Sequence, residues 1–185
     1  MNWLTIIVLL VVVILLAWAF NAFVRMRNIV RTAWSDIDVQ LKRRADLIPN
    51  IVEATKGYAA HESRVFKETT EARANATNPA LSPAQRAAAE SEFSQRIGTL
   101  LAVAENYPDL KASAQFLRLQ AELTETEGKI ADARRYYNAA VRDYNTMLES
   151  FPLGLMGKAT GFKKSEFFSA DGDSDRAAPR AEFTT

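Results

Sequence analysis

The chain has 185 residues, no cysteine and one histidine, and it carries 23 lysine and arginine residues against 22 aspartate and glutamate residues. Without cysteine there are no disulfides, thiolate metal sites or cysteine nucleophiles, and one histidine excludes sites built from several histidines. A net charge of +1 does not supply the cationic surface with which proteins displace counterions from nucleic acids. We therefore predict no nucleic-acid partner, no metal, no cofactor and no enzymatic activity.

The first predicted element is an apolar helix over residues 4–23, since no charged residue precedes Arg25. Twenty residues at about 1.5 Å each span roughly 30 Å, which is the thickness of the hydrocarbon core of a bilayer. We therefore predict a single transmembrane anchor over residues 1–23. The side chains predicted to contact lipid include Leu4, Leu9, Val13, Leu16, Phe20 and Phe23.

The charges that follow this segment predict its orientation. Arg25, Arg27 and Arg31 all precede the first acidic residue, Asp36. Positively charged flanks stay on the cytoplasmic side, so the N-terminus is predicted to lie outside and the C-terminal domain in the cytoplasm. A cleaved signal peptide, with a small-x-small pattern at residues 17–19, is the alternative. It is less favoured because no basic residue precedes the apolar run, which is also too long.

The chain after the anchor is predicted to be helical, because its apolar residues recur at helical spacing without the alternation typical of strands. The first such series includes Val30, Trp34, Ile37, Leu41 and Ile48. Pro49 interrupts the series. A proline removes one backbone hydrogen bond and clashes with the preceding turn, so the pattern allows either a kink or a turn at this point.

Two later boundaries carry local signals. After the polar residues 75–79, Ser82-Pro83-Ala84-Gln85 predicts a helix start with a capping box and proline in the first helical position. That helix is predicted to end at Asn106-Tyr107-Pro108, with Pro108 opening the next. The last helix is predicted to bury a seven-residue series and to end at Pro152 and Gly154; the series comprises Phe116, Leu123, Ile130, Tyr137, Tyr144 and Phe151.

The C-terminal part divides into two predicted segments. Residues 153–168 are amphipathic, and we predict that they dock on the helical domain, on a neighbouring subunit, or on lipid through Lys158, Lys163 and Lys164. Residues 169–185 are small and polar, which predicts a disordered tail.

Two patterns suggest chemistry only weakly. His61 has no second histidine with which to form a di-iron site, so we interpret it as a helix-surface or interhelical hydrogen-bonding residue. Asp171, Asp173 and Asp175 have the spacing of calcium ligands in an EF-hand loop. Arg176, however, occupies the position that requires glycine, and we interpret the region as a solvated acidic tail.

Several blocks of sequence resemble the bacterial LemA family. They read AWSDIDVQLKRRADLIPN at residues 33–50, KGYAAHE at 56–62, ENYPDLKA at 105–112 and ARRYYN at 133–138. The resemblance implies a bacterial inner-membrane protein with one N-terminal span and an antiparallel, up-and-down, bromodomain-like four-helix bundle over residues 24–152. Counting four helices favours a turn near Pro49. The family resemblance supplies no catalytic residues.

Two functions follow from these predictions. The first is a membrane-anchored scaffold that assembles into a homo-oligomer, because a helix that enters the cytoplasmic domain without a linker lowers the entropy cost of lateral assembly. Side chains predicted to form its interaction surface are Arg43, Arg44, Tyr107 and Arg135. The alternative is an adaptor or regulator of a sensor or of a membrane metalloprotease of the HtpX type, with which members of the family are associated.

Overall fold

A computed structural model describes residues 2–169. The predicted tail beyond Ser169 and the calcium-like aspartates therefore lie outside the described residues. Within residues 2–169 all regular secondary structure is helical, which confirms the predicted all-α class. The helices are α1 Trp3–Lys56, α2 Ser63–Ala76, α3 Pro83–Glu105, α4 Pro108–Lys111, α5 Ala114–Glu149 and α6 Leu153–Ala159.

The chain divides into two compact units, and α1 and α5 contribute to both. Among the described residues, unit 1 comprises residues 2–41 and Glu127–Phe167, whereas unit 2 comprises Lys42–Thr126 together with Phe168 and Ser169. Contacts between distant parts of the chain define this grouping. Hydropathy along the chain does not report such contacts.

Unit 2 is built around a continuous apolar core to which α1, α2, α3 and α5 all contribute. Phe93 and Leu100 of α3 and Ile51 of α1 are fully buried at its centre. Helical spacing places the buried residues of each helix on one face, as the sequence predicted for α3. The core also holds Ala45, Ile48, Val52, Ala59, Phe66, Ala72, Ala76, Ile97, Val103, Ala104, Leu110, Phe116 and Leu123.

The start of α3 confirms the predicted capping box. The Ser82 hydroxyl accepts a hydrogen bond from the Gln85 backbone N–H at 3.4 Å, and the Gln85 side-chain oxygen accepts one from the Ser82 N–H at 3.0 Å. Pro83 occupies the first helical position, where no donor is needed. Pro108 begins only the short helix α4, and the long helix α5 begins at Ala114.

The turn that the family resemblance favoured near Pro49 is wrong, because α1 continues through Pro49 to Lys56. Residue 49 has no N–H to donate to the Ala45 carbonyl one turn earlier. That carbonyl instead accepts a hydrogen bond from Nε of Arg73 in α2 at 2.6 Å, and Arg73 also lies 3.7 Å from the Asp46 carboxylate. A side chain from another helix thus replaces the missing donor.

Replacing Arg73 with alanine is expected to destabilise the protein by about 1–3 kcal/mol, because the Ala45 carbonyl loses its substitute donor. In a Pro49→Ala background the loss is expected to be smaller, since an alanine at this position supplies its own N–H. The measurement is a double-mutant cycle from urea unfolding curves of the full chain in detergent micelles. Arg64→Ala is the matched control: this exposed α2 arginine pairs with its helical neighbour Glu68. An equal loss of stability in the Pro49 and Pro49→Ala backgrounds contradicts the interpretation that Arg73 replaces the missing backbone donor.

Unit 1 contains the first part of α1 packed against the C-terminal part of α5. The Trp34 and Tyr137 rings lie 5.4 Å apart between centroids, while Arg27 and Arg31 lie near Tyr144, so the two helices are antiparallel. The seven-residue series of α5 is buried from Phe116 to Tyr144, as predicted. Phe151 does not follow the prediction. It is 85% exposed because α5 ends at Glu149, before this position of the series.

Candidate functional site at the end of the apolar helix

The N-terminal part of α1 is long and apolar enough to cross a membrane. Its best 18-residue window has a mean hydropathy of 3.0, and only 6% of that window is buried inside the protein. The core helix of a soluble protein, by contrast, is mostly buried. Five of the predicted anchor residues have exposed side chains and could contact lipid directly: Leu4, Leu9, Val13, Leu16 and Phe20.

Phe23, the sixth predicted anchor residue, has a different environment. Its side chain is 0% exposed, and its ring stacks on Phe162 with the centroids 5.1 Å apart. Phe162 also meets Phe20 edge to face at 5.7 Å and lies under the Arg27 guanidinium. Phe23 is therefore covered by protein instead of lipid. The sequence could not indicate this, because Phe162 is 139 positions away along the chain.

Helix α6 packs against this region through two glycines. A Cβ at Gly154 would lie 2.5 Å from the Leu148 carbonyl oxygen, and a Cβ at Gly157 would lie 3.0 Å from Phe23 Cζ. Both distances are too short for a methyl group without a shift of the neighbouring atoms. The absence of side chains at Gly154 and Gly157 thus allows α6 to approach α5 and the end of the apolar helix closely.

The chain after α6 is held along α5 by three hydrogen bonds. The Tyr137 hydroxyl donates to the Glu166 carbonyl at 2.8 Å. The Asn145 side-chain amide donates to the Ser165 carbonyl at 2.9 Å and accepts from the Ser165 N–H at 2.9 Å. This segment therefore packs on its own chain. Sequence analysis assigned no such role to Asn145, since a side chain that pairs with a distant backbone leaves no local pattern.

Basic side chains surround this packed segment. Lys158 and Lys163 are exposed, as is Arg25 on α1. Lys164 forms an ion pair with Glu149. Its hydrogen bond and positive charge lower the pKa of the Glu149 carboxyl, so that this acid stays ionised beside the lysines.

Burial changes the acidity of the tyrosines that α5 contributes to unit 1. Burial, with the nearby Glu166 carboxylate adding a smaller effect, raises the pKa of Tyr137 to about 12. Burial also raises the pKa of Tyr144, although the charges of Arg27 and Arg31 oppose it. Both phenols therefore stay neutral at physiological pH, and Tyr137 can act as a hydrogen-bond donor to the backbone.

The four residues predicted to form an interaction surface have different environments. Arg43 and Arg135 are exposed, and Arg135 pairs with Asp132 of its own helix. Tyr107 is half-buried against the core of unit 2. Arg44 is only 2% exposed. The expectation that Arg44 lies on an exposed surface is thus corrected, because helical spacing does not show which face of α1 the other helices cover.

Arg44 belongs to a buried charged cluster in unit 2. Its guanidinium forms an ion pair with Glu90 of α3 and donates to the Ser94 hydroxyl at 2.7 Å. Arg86 Nε donates to the other Glu90 oxygen at 3.1 Å. The Arg44 guanidinium also lies over the Phe93 ring, 5.2 Å from its centroid. The cluster satisfies buried charges between helices and leaves Arg44 no accessible group for a partner.

Among residues 2–169, no group of three or more histidine, cysteine, aspartate or glutamate side chains could hold a metal ion. His61 is exposed in the connection between α1 and α2. Its side chain is exposed, but it lies in a turn and not on the surface of a helix.

Comparison with known protein families tests the resemblance that the sequence blocks suggested. The LemA family profile matches residues 33–183. The chain belongs to the LemA family. The predicted resemblance is thereby confirmed, and the match begins within α1, after its apolar segment.

Individual relatives support the same assignment. The chain is 28% identical over 174 residues to magnetosome protein MamQ 2 of Paramagnetospirillum magneticum, covering 80% of this chain and 64% of that protein. It is 26% identical to magnetosome protein MamQ of Magnetospirillum gryphiswaldense with the same coverage. It is 27% identical to protein LemA of Metamycoplasma hominis, covering 71% of this chain and 60% of the relative. This LemA-family chain thus spans less than two thirds of the length of these relatives.

Proposed function

We propose that this LemA-family chain is a non-enzymatic, membrane-anchored scaffold that assembles into a homo-oligomer on the cytoplasmic face of a bacterial inner membrane. The observation that carries the proposal is the continuity of α1 within unit 1. The helix extends unbroken from the exposed apolar segment through Leu41. Unit 1 is therefore joined to its anchor without a flexible linker.

A stiff connection favours assembly because each copy is already held in one orientation on the membrane. Part of the entropy cost of association is therefore incurred before two copies come together. Molecules confined to a membrane and held in one orientation lose less translational and rotational freedom when they associate. The packing of Phe162 and α6 against Phe23 adds to this restraint. The proposed contact residues are Arg43, Arg135 and the accessible part of Tyr107. We further propose that the helices of residues 24–152 form a bromodomain-like, up-and-down four-helix bundle.

The charges after the anchor support a single pass with the N-terminus outside. Arg25, Arg27 and Arg31 lie within about two helical turns of Phe23, well inside the roughly 15–20 residues over which basic residues bias a flank to the cytoplasm. A reporter fused to the C-terminal end is expected to be active only in the cytoplasm. Activity only in the external compartment contradicts this topology.

Light scattering of the full chain in detergent micelles tests self-assembly. A protein mass larger than that of one chain is expected, and a monomer at high protein concentration contradicts the proposal. Arg135→Glu is expected to reduce the assembly, because it reverses a charge at the proposed contact. Lys67→Glu is the matched control: Lys67 is also exposed and paired within its own helix, α2, but lies outside the proposed surface.

Cysteine crosslinking separates the scaffold from the adaptor function. The chain has no native cysteine, so Arg135→Cys introduces a single reactive site. Crosslinks between copies in membranes are expected for the scaffold. Capture of one foreign protein in stoichiometric amount, such as a membrane protease, without crosslinks between copies instead supports an adaptor or regulator.

A further inference from the structure

We propose that the surface formed by Phe151, Leu155, Lys158 and Lys163, here called the α6 patch, docks on anionic lipid headgroups of the membrane that α1 enters. This inference rests on the proposed membrane anchoring of α1. It assigns α6 a function that is separate from self-assembly. The α6 patch supplies a second attachment to the bilayer beside the transmembrane span.

The position of α6 along α1 places the α6 patch near the membrane surface. Gly157 approaches Phe23, the last residue of the apolar run, and Phe162 contacts Phe20 and Phe23. The first charged residue, Arg25, follows two positions later. Where the apolar span ends and charges begin, an anchored helix passes through the headgroup region. Helix α6 therefore lies beside that region of α1.

The apolar part of the α6 patch is not covered by the chain itself. Phe151 is 85% exposed and Leu155 is 65% exposed. Among residues 2–169, no other large apolar side chain beyond the apolar run is so exposed. Gly154 and Gly157 face the protein, whereas Leu155 lies between them in sequence and points away. Phe151 and Leu155 thus present exposed aromatic and aliphatic side chains of the kind that interfacial segments place among lipids.

The charges around α6 favour an anionic surface as the occupant. Lys158 and Lys163 are exposed, and Lys164 neutralises Glu149. Glu166 is also exposed. Lysines attract an anionic leaflet within a Debye length, about 8 Å at physiological ionic strength. Lys158 directly follows Gly157, where an added Cβ would lie 3.0 Å from Phe23 Cζ, so its backbone lies close to the end of the apolar span.

Lipid is favoured over a second copy of the chain because the α6 patch is continuous with the anchor. Any protein partner would have to displace the bilayer surface already beside Phe20 and Phe23. The anchor, in contrast, brings the patch to the lipid at high effective concentration without a further encounter. Contact with a second copy is an outcome that the following experiment distinguishes.

The test uses single cysteines labelled with an environment-sensitive fluorophore in the full chain, reconstituted into vesicles with and without anionic phosphatidylglycerol. Leu155→Cys reports on the α6 patch and Leu16→Cys on the anchor. Val39→Cys is the matched control, because it is exposed on the same helix as the anchor but about 24 Å beyond Phe23. Substitutions at these exposed positions leave the packed core intact.

In anionic vesicles, nitroxide lipids labelled near the headgroup are expected to quench the probe at position 155 at least twofold and to leave the probe at position 39 unchanged. Lys158→Glu combined with Lys163→Glu is expected to remove most of the quenching at position 155 without affecting position 16. Lys56→Glu combined with Lys67→Glu is the charge control, which is expected to leave position 155 quenched.

A probe at position 155 that behaves like the probe at position 39, while position 16 is quenched by deep nitroxides, overturns the α6 proposal and leaves the anchor intact. Absence of quenching at position 16 instead overturns the anchoring itself. Disulfide formation between two copies at Leu155→Cys, with no lipid quenching, overturns the lipid proposal in favour of a contact between subunits.

Discussion

Replacing Glu90 with alanine is expected to lower the free energy of unfolding by about 3–5 kcal/mol, the cost of removing one partner from a buried ion pair. Glu90 forms ion pairs with both Arg44 and Arg86, and all three side chains are buried. The alanine variant loses the carboxylate but keeps the Arg44 charge inside unit 2. Urea unfolding of the full chain in detergent micelles, followed by circular dichroism, measures the loss.

Two control variants separate the lost carboxylate from other effects of substitution. Combining Arg44→Met and Arg86→Met with Glu90→Leu removes all three buried charges and fills similar volume with apolar atoms, so it is expected to recover most of the stability. Asp132→Ala breaks the exposed pair with Arg135 and is expected to change stability little, because water already solvates both groups. A Glu90→Ala variant as stable as Asp132→Ala contradicts the buried-pair interpretation.

Replacing Phe23 with alanine is expected to destabilise the packing of α6 and residues 160–167 by about 3 kcal/mol, the lower end of the cost for a buried phenylalanine. The variant loses the stacking on Phe162 and the contact beside Gly157. The side chains of Lys158 and Lys163 are already exposed, and local opening lets the backbone beside them enter the active site of trypsin. A loss of this size corresponds to roughly a hundredfold increase in the rate of tryptic cleavage when opening and closing are fast.

Leu9→Ala is the matched control for Phe23→Ala, since Leu9 lies in the same helix but is exposed and outside the α6 contacts. Its tryptic cleavage rate is expected to equal that of the unmodified chain. Equal cleavage of the Phe23→Ala and Leu9→Ala variants shows that Phe23 does not hold α6 in place. Mass spectrometry of the fragments identifies the cleaved lysines.

Much of the helical organisation could be predicted from local patterns. The seven-residue series from Phe116 to Tyr144 is buried as expected, because helical periodicity places these residues on one face. The Ser82 capping box forms as predicted, since both its donors and its acceptors lie within four residues. Interactions of short sequence separation leave a pattern that can be read directly from the chain.

The outcome at Pro49 could not be predicted in this way. A proline within an apolar series is compatible with either a kink or a turn, and the choice depends on whether the freed Ala45 carbonyl finds another donor. Arg73 supplies that donor from a separate helix, 28 positions later. The donor that replaces the missing N–H of residue 49 therefore comes from a contact between α1 and α2 that local sequence does not show.

At the candidate site, too, local sequence patterns predicted some features, whereas contacts between distant residues decided others. Hydropathy predicted the apolar helix and five of its exposed residues, but Phe23 is covered by Phe162, and Arg44 is enclosed by α3. The basic residues of the C-terminal segment were apparent in the sequence, whereas the closeness of α6 to the end of the span was not. Two glycines on α6 allow that approach, and glycine spacing alone does not indicate what a helix will contact.

The sequence by itself determined that this LemA-family chain is helical, that it has one apolar segment long enough to span a bilayer, and which residues share a helical face. Only the tertiary structure decided which faces are covered, how the chain passes Pro49 and where α6 lies. The physical reason is that hydropathy and helical periodicity are properties of neighbouring residues. Burial and the pairing of charges depend on partners that folding brings from distant parts of the chain.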